Sequence, residues 1–89
     1  MNKIDKYVRA ATRDNTRRSY QSAVDHFEVA WGGFLPTTAD TVARYLADHA
    51  EVLSMNTLKQ RLAALAQWHI DQGFPDPTKA PVVKKVLKG

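Results

Sequence analysis

Apolar residues recur along most of the chain at spacings of three and four, the period of an α-helix with one buried face. The first long segment opens at Asn15 and ends at Gly32 and Gly33. Its stripe is Tyr20, Ala23, Val24, Phe27, Ala30 and Trp31. The second segment follows Pro36 and can be capped by Thr37 or Thr38. Its stripe is Val42, Ala43, Leu46, Ala50 and Leu53.

The third segment is the longest, with Ser54 placed to cap it and Gly73 placed to stop it. Its apolar line is Leu58, Leu62, Leu65 and His69. A proline-rich connector follows, after which Pro81 can open a short last helix. That helix carries Val82, Val83, Val86 and Leu87, and a short leading helix is predicted from Ile4, Tyr7, Val8 and Ala11. Since no segment alternates as a strand would, we predict an all-α, compact bundle of four to five helices.

The length of 89 residues predicts a single domain covering residues 1–89. The chain has no cysteine, which excludes disulfides and thiolate metal sites and favours an intracellular location. The opening MNKIDKYVRAA has lysines without a following apolar run, so we expect no signal peptide there, and no stretch of the sequence reaches transmembrane length. We therefore expect a soluble, cytoplasmic protein that has no membrane partner.

The net charge of +4 is unevenly distributed along the chain. Residues 1–20 hold six basic and two acidic side chains. Residues 21–53 hold one basic and five acidic side chains, and residues 54–89 hold six basic and two acidic side chains. The resulting charges are +4, −4 and +4. A surface polarised in this way is typical of a phosphate-binding face, although lysines scattered over a small protein would give the same totals.

Two of the predicted helices open with similar sequences, NTRR at residues 15–18 and NTLK at residues 56–59. Arg17 and Arg18 would lie in a first helical turn, where the helix dipole disfavours cations. An anionic partner resolves this conflict, because helix N-termini and arginine side chains both bind phosphate. Two such helix starts would suit the two phosphate strands that flank one groove of a duplex.

The outer face of the third helix is rich in amides. At 100° per residue, Asn56, Gln60 and Gln67 lie opposite the leucines, with Lys59 and Arg61 at the sides and small Ala63 and Ala64 between them. Asn and Gln can pair with adenine in a major groove, and Arg or Lys with guanine. In the first helix, Arg18 and Ser22 face away from the core and Arg17 lies at its flank. The alternative is that these residues simply form a good helix surface.

Three sets of residues resemble catalytic or metal sites without the groups that such sites require. His26, His49 and His69 lie on three helices, but His69 continues a buried stripe, as a hydrogen-bonded core histidine does. The tyrosines Tyr7, Tyr20 and Tyr45 lack the flanking Arg and His groups of a phosphotyrosine chemistry. Trp31 and Trp68 are assigned to packing, because duplex DNA does not expose its base faces. We therefore expect no catalytic residue, no metal and no cofactor.

The order of these elements resembles the N-terminal core-binding domain of the tyrosine recombinases, the family of the phage integrases and Cre. The resemblance covers about residues 13–89. It depends on three motifs: the NT-R-x-Y helix start, the TLKQRLAAL-x-x-x-H-x-x-x-G run followed by P-x-P-T, and the closing VLKG.

The resemblance implies a SAM-like, DNA-binding helical bundle that forms half of a clamp around duplex DNA in recombination and integration. Its partners would be a C-terminal catalytic domain of the same parent chain, expected beyond Gly89, and other recombinase subunits on the DNA. The residues 1–89 would therefore bind without being an enzyme. The DNA contacts that it implies are Thr16, Arg18 and Ser19 from the first helix and Asn56, Thr57, Lys59 and Gln60 from the third, with Arg17 beside them.

Two other functions remain open from the sequence. A helix-turn-helix regulator would use the third helix alone, although the HAEVLSMN connection is long for that motif and lacks its usual glycine. A helical protein-interaction module would use the acidic second helix together with exposed Val29 or Trp68.

Overall fold

The computed structural model describes residues 16–89, and all the regular structure within that range is helical. The elements are α1 (residues 16–30), α2 (Ala39–His49), α3 (Met55–Gln72), a 3₁₀ turn (Pro77–Lys79) and α4 (Pro81–Lys88). The all-α prediction is confirmed for these residues. The expected leading helix and the expected opening residue Asn15 lie outside the described range.

Helix α1 changes its hydrogen-bonding pattern in its last part. Residues 16–25 are α-helical, whereas His26–Ala30 form a π-helical turn closed by the Trp31 N–H, which donates to the His26 carbonyl. Phe27 is buried as predicted, but Ala30 is exposed. Ala30 is the last residue of the π turn, whose wider winding departs from a 100° spacing, and this explains the wrong prediction for Ala30.

Helix α2 is capped by Thr38, whose hydroxyl accepts the Thr41 N–H and so settles the choice between Thr37 and Thr38. Val42, Ala43 and Leu46 are buried, as the apolar pattern predicts. Ala50 is exposed because it follows the last helical residue. Tyr45 is fully buried and was not among the predicted core residues of this helix.

Helix α3 has the predicted ends. Ser54 caps it by accepting the Thr57 N–H, and Gly73 ends it in the left-handed conformation at φ 82°. Leu58, Leu65 and His69 are buried along the predicted line. Ala64 is also buried, 1% exposed, so the prediction that it belongs to the outer face is wrong. Its neighbour Ala63 is exposed, as expected.

The core lies between these helices and α4, which packs along α2. Pro81 opens α4, and Val83 is its fully buried residue. Phe27 is in edge-to-face contact with Tyr45, with ring centroids 5.1 Å apart. Trp31 donates from Nε1 to Asp48 at 2.8 Å, which joins the end of α1 to α2. This arrangement fixes the end of α1 against α2 and leaves its beginning next to α3.

Candidate nucleic-acid interface

The first turn of α3 is capped by contacts between Ser54 and Thr57. The Ser54 hydroxyl accepts the Thr57 N–H at 3.2 Å and lies 3.0 Å from the Thr57 hydroxyl. The Leu58 N–H donates to the Ser54 carbonyl. In an α-helix the first amides have no intrahelical acceptor, so those of Met55 and Asn56 are the ones available to an external anion.

A side-chain hydrogen bond joins α3 to the first described turn of α1. Nε2 of Gln60 donates to Oγ of Ser19 at 2.5 Å and lies 3.3 Å from the Ser19 carbonyl oxygen. The two residues are 41 positions apart in the sequence. This contact brings the two stretches with the predicted DNA contacts, residues 16–19 and 56–60, next to each other.

Most of the predicted DNA contacts have exposed side chains. The exposed ones are Thr16, Arg17, Arg18, Ser19, Asn56 and Lys59. Thr57 and Gln60 are half-buried, Thr57 through the cap at Ser54 and Gln60 through Ser19. The structure therefore presents cations from both helices to solvent, but it uses the Gln60 amide for a contact within the protein.

A groove separates α1 from α3 beside this contact. It has a volume of about 700 Å³. Its apolar lining comes from Tyr20, Val24, Ala64 and Trp68, and Arg17 and Asp71 are among its polar residues. Trp68 is also stacked on Phe74, with nearly parallel rings and centroids 6.0 Å apart. On α1 the groove begins among the predicted DNA contacts, at Thr16 and Arg17, whereas on α3 it lies beyond them, between Ala64 and Asp71.

Two histidines and a tyrosine meet where α1 approaches α2. Nδ1 of His26 lies 2.6 Å from the hydroxyl of Tyr45, and the His26 and His49 rings are 5.0 Å apart. Burial, the Arg61 guanidinium and His49 lower the pKa of His26 below its ordinary 6.5. Burial raises the pKa of Tyr45, so its hydroxyl stays protonated at neutral pH. This cluster holds a neutral imidazole next to a cation.

Arg61 differs from Lys59, the other basic residue that was predicted to lie beside the outer face of α3. It is half-buried, and within residues 16–89 its buried Nε has no hydrogen-bond partner. Its charge helps burial to lower the pKa of His26 and opposes the burial that raises the pKa of Tyr45. The sequence does not indicate this placement. A residue at the side of a helix can contact either the rest of the protein or an external ligand.

His69 is the hydrogen-bonded core histidine that its place in the stripe predicts. It is fully buried, Nδ1 donates to the Leu65 carbonyl at 2.7 Å, and Nε2 accepts the Thr37 N–H at 3.0 Å. Across residues 16–89 there is no group of three or more His, Cys, Asp or Glu side chains that could hold a metal ion. None of the helices in that range is long and apolar enough to cross a membrane.

Comparison of the chain with protein-family models, with curated proteins and with solved structures found no match.

Proposed function

We propose that this chain binds duplex DNA as a core-binding domain of the tyrosine-recombinase type, with a SAM-like helical bundle as its fold. The Ser19–Gln60 contact is the observation that carries the proposal. It joins the two stretches that the resemblance assigns to DNA, although they are far apart in the sequence. A surface built from both stretches suits the phosphates on either side of a groove.

The charges on this surface support the same function. Arg17 and Arg18 on α1 and Lys59 on α3 are exposed, and their side chains would contact phosphate oxygens. Asn56 is exposed in the first turn of α3, where its amide could pair with a base edge. The cations supply affinity for any duplex, and Asn56 is the candidate for reading sequence.

The proposal includes partners outside the chain. A core-binding domain of this type would act with a catalytic domain of the same parent protein and with other recombinase subunits on one DNA site. The part of the chain described here would supply binding and no catalytic group, and it would work in the cytoplasm on DNA. A regulator of the helix-turn-helix type would need α3 alone and would give no role to Arg17 and Arg18.

A protein-interaction module is the second candidate, and exposed apolar side chains favour it. Phe34, Val29 and Val52 are 86%, 81% and 78% exposed. Such side chains mark a contact surface where they form one patch, so this module requires that the three lie together. For such a module, binding would depend on Phe34 and would respond little to salt.

A salt titration of binding to random duplex DNA separates the two candidates. With about four phosphates neutralised, the slope of log K against log salt should be about −3 to −4. Arg17→Glu/Arg18→Glu should weaken binding about tenfold or more. It should also flatten the slope by about one unit for each phosphate that the chain no longer neutralises.

The matched control is Lys84→Glu/Lys85→Glu, which makes the same charge change at exposed positions of α4. It should weaken binding less than the α1 double variant. A flat salt response of the unaltered chain, or equally weakened binding in the two double variants, would count against the proposed surface.

A further inference from the structure

The Gln60 side chain carries an amide that could pair with a base, but its contacts in the protein indicate another role. Its amide nitrogen donates to the hydroxyl of Ser19 at 2.5 Å, and the side chain is half-buried. To reach a base edge, Gln60 would have to break this bond and leave the Ser19 hydroxyl to water. An amide that is already paired gains little by exchanging one hydrogen bond for another.

The Ser19–Gln60 bond affects the separation of α1 and α3, because a groove lies between the two helices next to it. Tyr20 and Val24 of α1 line one side of the groove, and Ala64 and Trp68 of α3 line the other. Among residues 16–89, the two helices therefore leave an open groove near the beginning of α1. A directional hydrogen bond at this end can fix a helix separation that the open groove leaves loosely determined.

From this arrangement we infer that Gln60 is a positioning residue. Its bond to Ser19 holds Arg17 and Arg18 of α1 at a fixed distance from Asn56 and Lys59 of α3. This inference rests on the proposed DNA binding and changes one part of it: Gln60 orders the surface and does not read sequence. Preorganisation of this kind raises affinity for every duplex equally, because it reduces the ordering that binding requires.

The test uses a double-mutant cycle with Ser19→Ala, Gln60→Ala and the double variant. Binding is measured to a library of duplexes with a randomised central stretch, and the bound fraction is sequenced. Each single variant should weaken binding to all sequences about three- to tenfold, as expected for one net hydrogen bond. The double variant should be no weaker than either single variant, because both remove the same bond.

A conservative variant and a stability measurement separate positioning from a general loss of folding. Ser19→Thr retains a hydroxyl that can accept the Gln60 amide, so it should lose less affinity than Ser19→Ala does. All variants are compared at a temperature where thermal melts show them to be folded. Ser19→Ala serves as a second route to the same effect, since it removes the hydroxyl acceptor without changing α3 and leaves Gln60 only the longer contact to the Ser19 carbonyl.

The outcomes distinguish the inference from the proposed function. A changed sequence preference in Gln60→Ala but not in Ser19→Ala would make Gln60 a base reader and overturn the inference. Binding of the unaltered chain with no effect of either substitution would overturn it as well, while leaving the proposed function intact. If the unaltered chain binds no duplex, the proposed function and the inference both fail.

Discussion

Nε2 of His69 accepts a hydrogen bond from the backbone N–H of Thr37 at 3.0 Å. This bond holds the loop before α2 against α3. The other ring nitrogen donates to the Leu65 carbonyl, so the neutral ring has its single proton on Nδ1. A buried histidine with both nitrogens used is a structural residue of α3.

Replacing His69 with leucine should therefore destabilise the fold by about 1 to 3 kcal/mol, because the Thr37 N–H loses its acceptor. Urea unfolding at pH 7 measures the change. Gln72→Leu, an exposed position of the same helix, is the matched control and should stay within about 0.5 kcal/mol. Equal small effects of the two substitutions would show that water replaces the imidazole at Thr37.

Ala63 and Ala64 are adjacent in the sequence but lie in opposite environments. Ala64 is buried where α3 faces α1, and Ala63 is exposed. Ala64→Glu should lower the free energy of unfolding by about 2 kcal/mol or more, because a carboxylate would be placed in a buried site. Ala63→Glu should be nearly neutral, since Glu is a good helix former on a surface. Two neutral results in thermal melts would favour the helix phase predicted from the sequence.

Local chemistry made the helix ends predictable from the sequence. A hydroxyl cap at Thr38 or Ser54, a left-handed glycine at Gly73 and a first-turn proline at Pro81 each act within a few residues of their own position. The apolar stripes of α2 and α3 were predictable for the same reason, because one helix face repeats at a fixed period.

The contacts between helices were not predictable in this way. Helix α3 has two packed sides, one with Leu65 and one with Ala64, and a single leucine stripe indicates only the first. The Ser19–Gln60 bond joins residues 41 positions apart, so no local pattern signals it. Tyr45 is buried because aromatic rings from α1 meet it, which the sequence of α2 alone does not show.

The stability of the fold should depend on pH through His26. Burial, Arg61 and His49 lower the pKa of His26 in the folded state, so the unfolded chain takes up its proton at higher pH. The contribution to stability is complete above the ordinary pKa of 6.5 and is lost as pH falls through the lower pKa of the folded state. Urea unfolding between pH 8 and 5 should show this decline.

Arg61→Gln tests the cause of that shift. Removing the guanidinium charge should raise the pKa of His26 toward 6.5 without restoring it fully, because burial remains the larger cause. An NMR titration of the imidazole protons measures the change. Lys59→Gln, an exposed cation two residues earlier in α3, is the control and should leave the His26 pKa unchanged. An equal shift in both variants would indicate a general charge effect.

Asn56 and Lys59 should have separable effects on DNA binding. Both are exposed in the first turns of α3, so alanine at either position should leave the melting temperature nearly unchanged. Asn56→Ala should reduce discrimination between preferred and mismatched duplexes by about 1 to 3 kcal/mol, because it removes a bidentate pairing with a base. Lys59→Ala should weaken binding to all duplexes alike and lower the salt slope by about one unit, since it removes a phosphate contact.

Lys88→Ala, at the end of α4, is the control for removal of a surface cation and should change the salt slope less than Lys59→Ala does. Binding titrations at several salt concentrations, with one preferred and one mismatched duplex, measure both quantities. If Lys59→Ala altered discrimination while Asn56→Ala altered only affinity, the two roles would be exchanged. The lysine would then pair with a guanine, and the Asn56 amide would contact the DNA backbone. If neither changed binding, the first turns of α3 would lie away from the DNA, and the surface would have to be built from α1 alone.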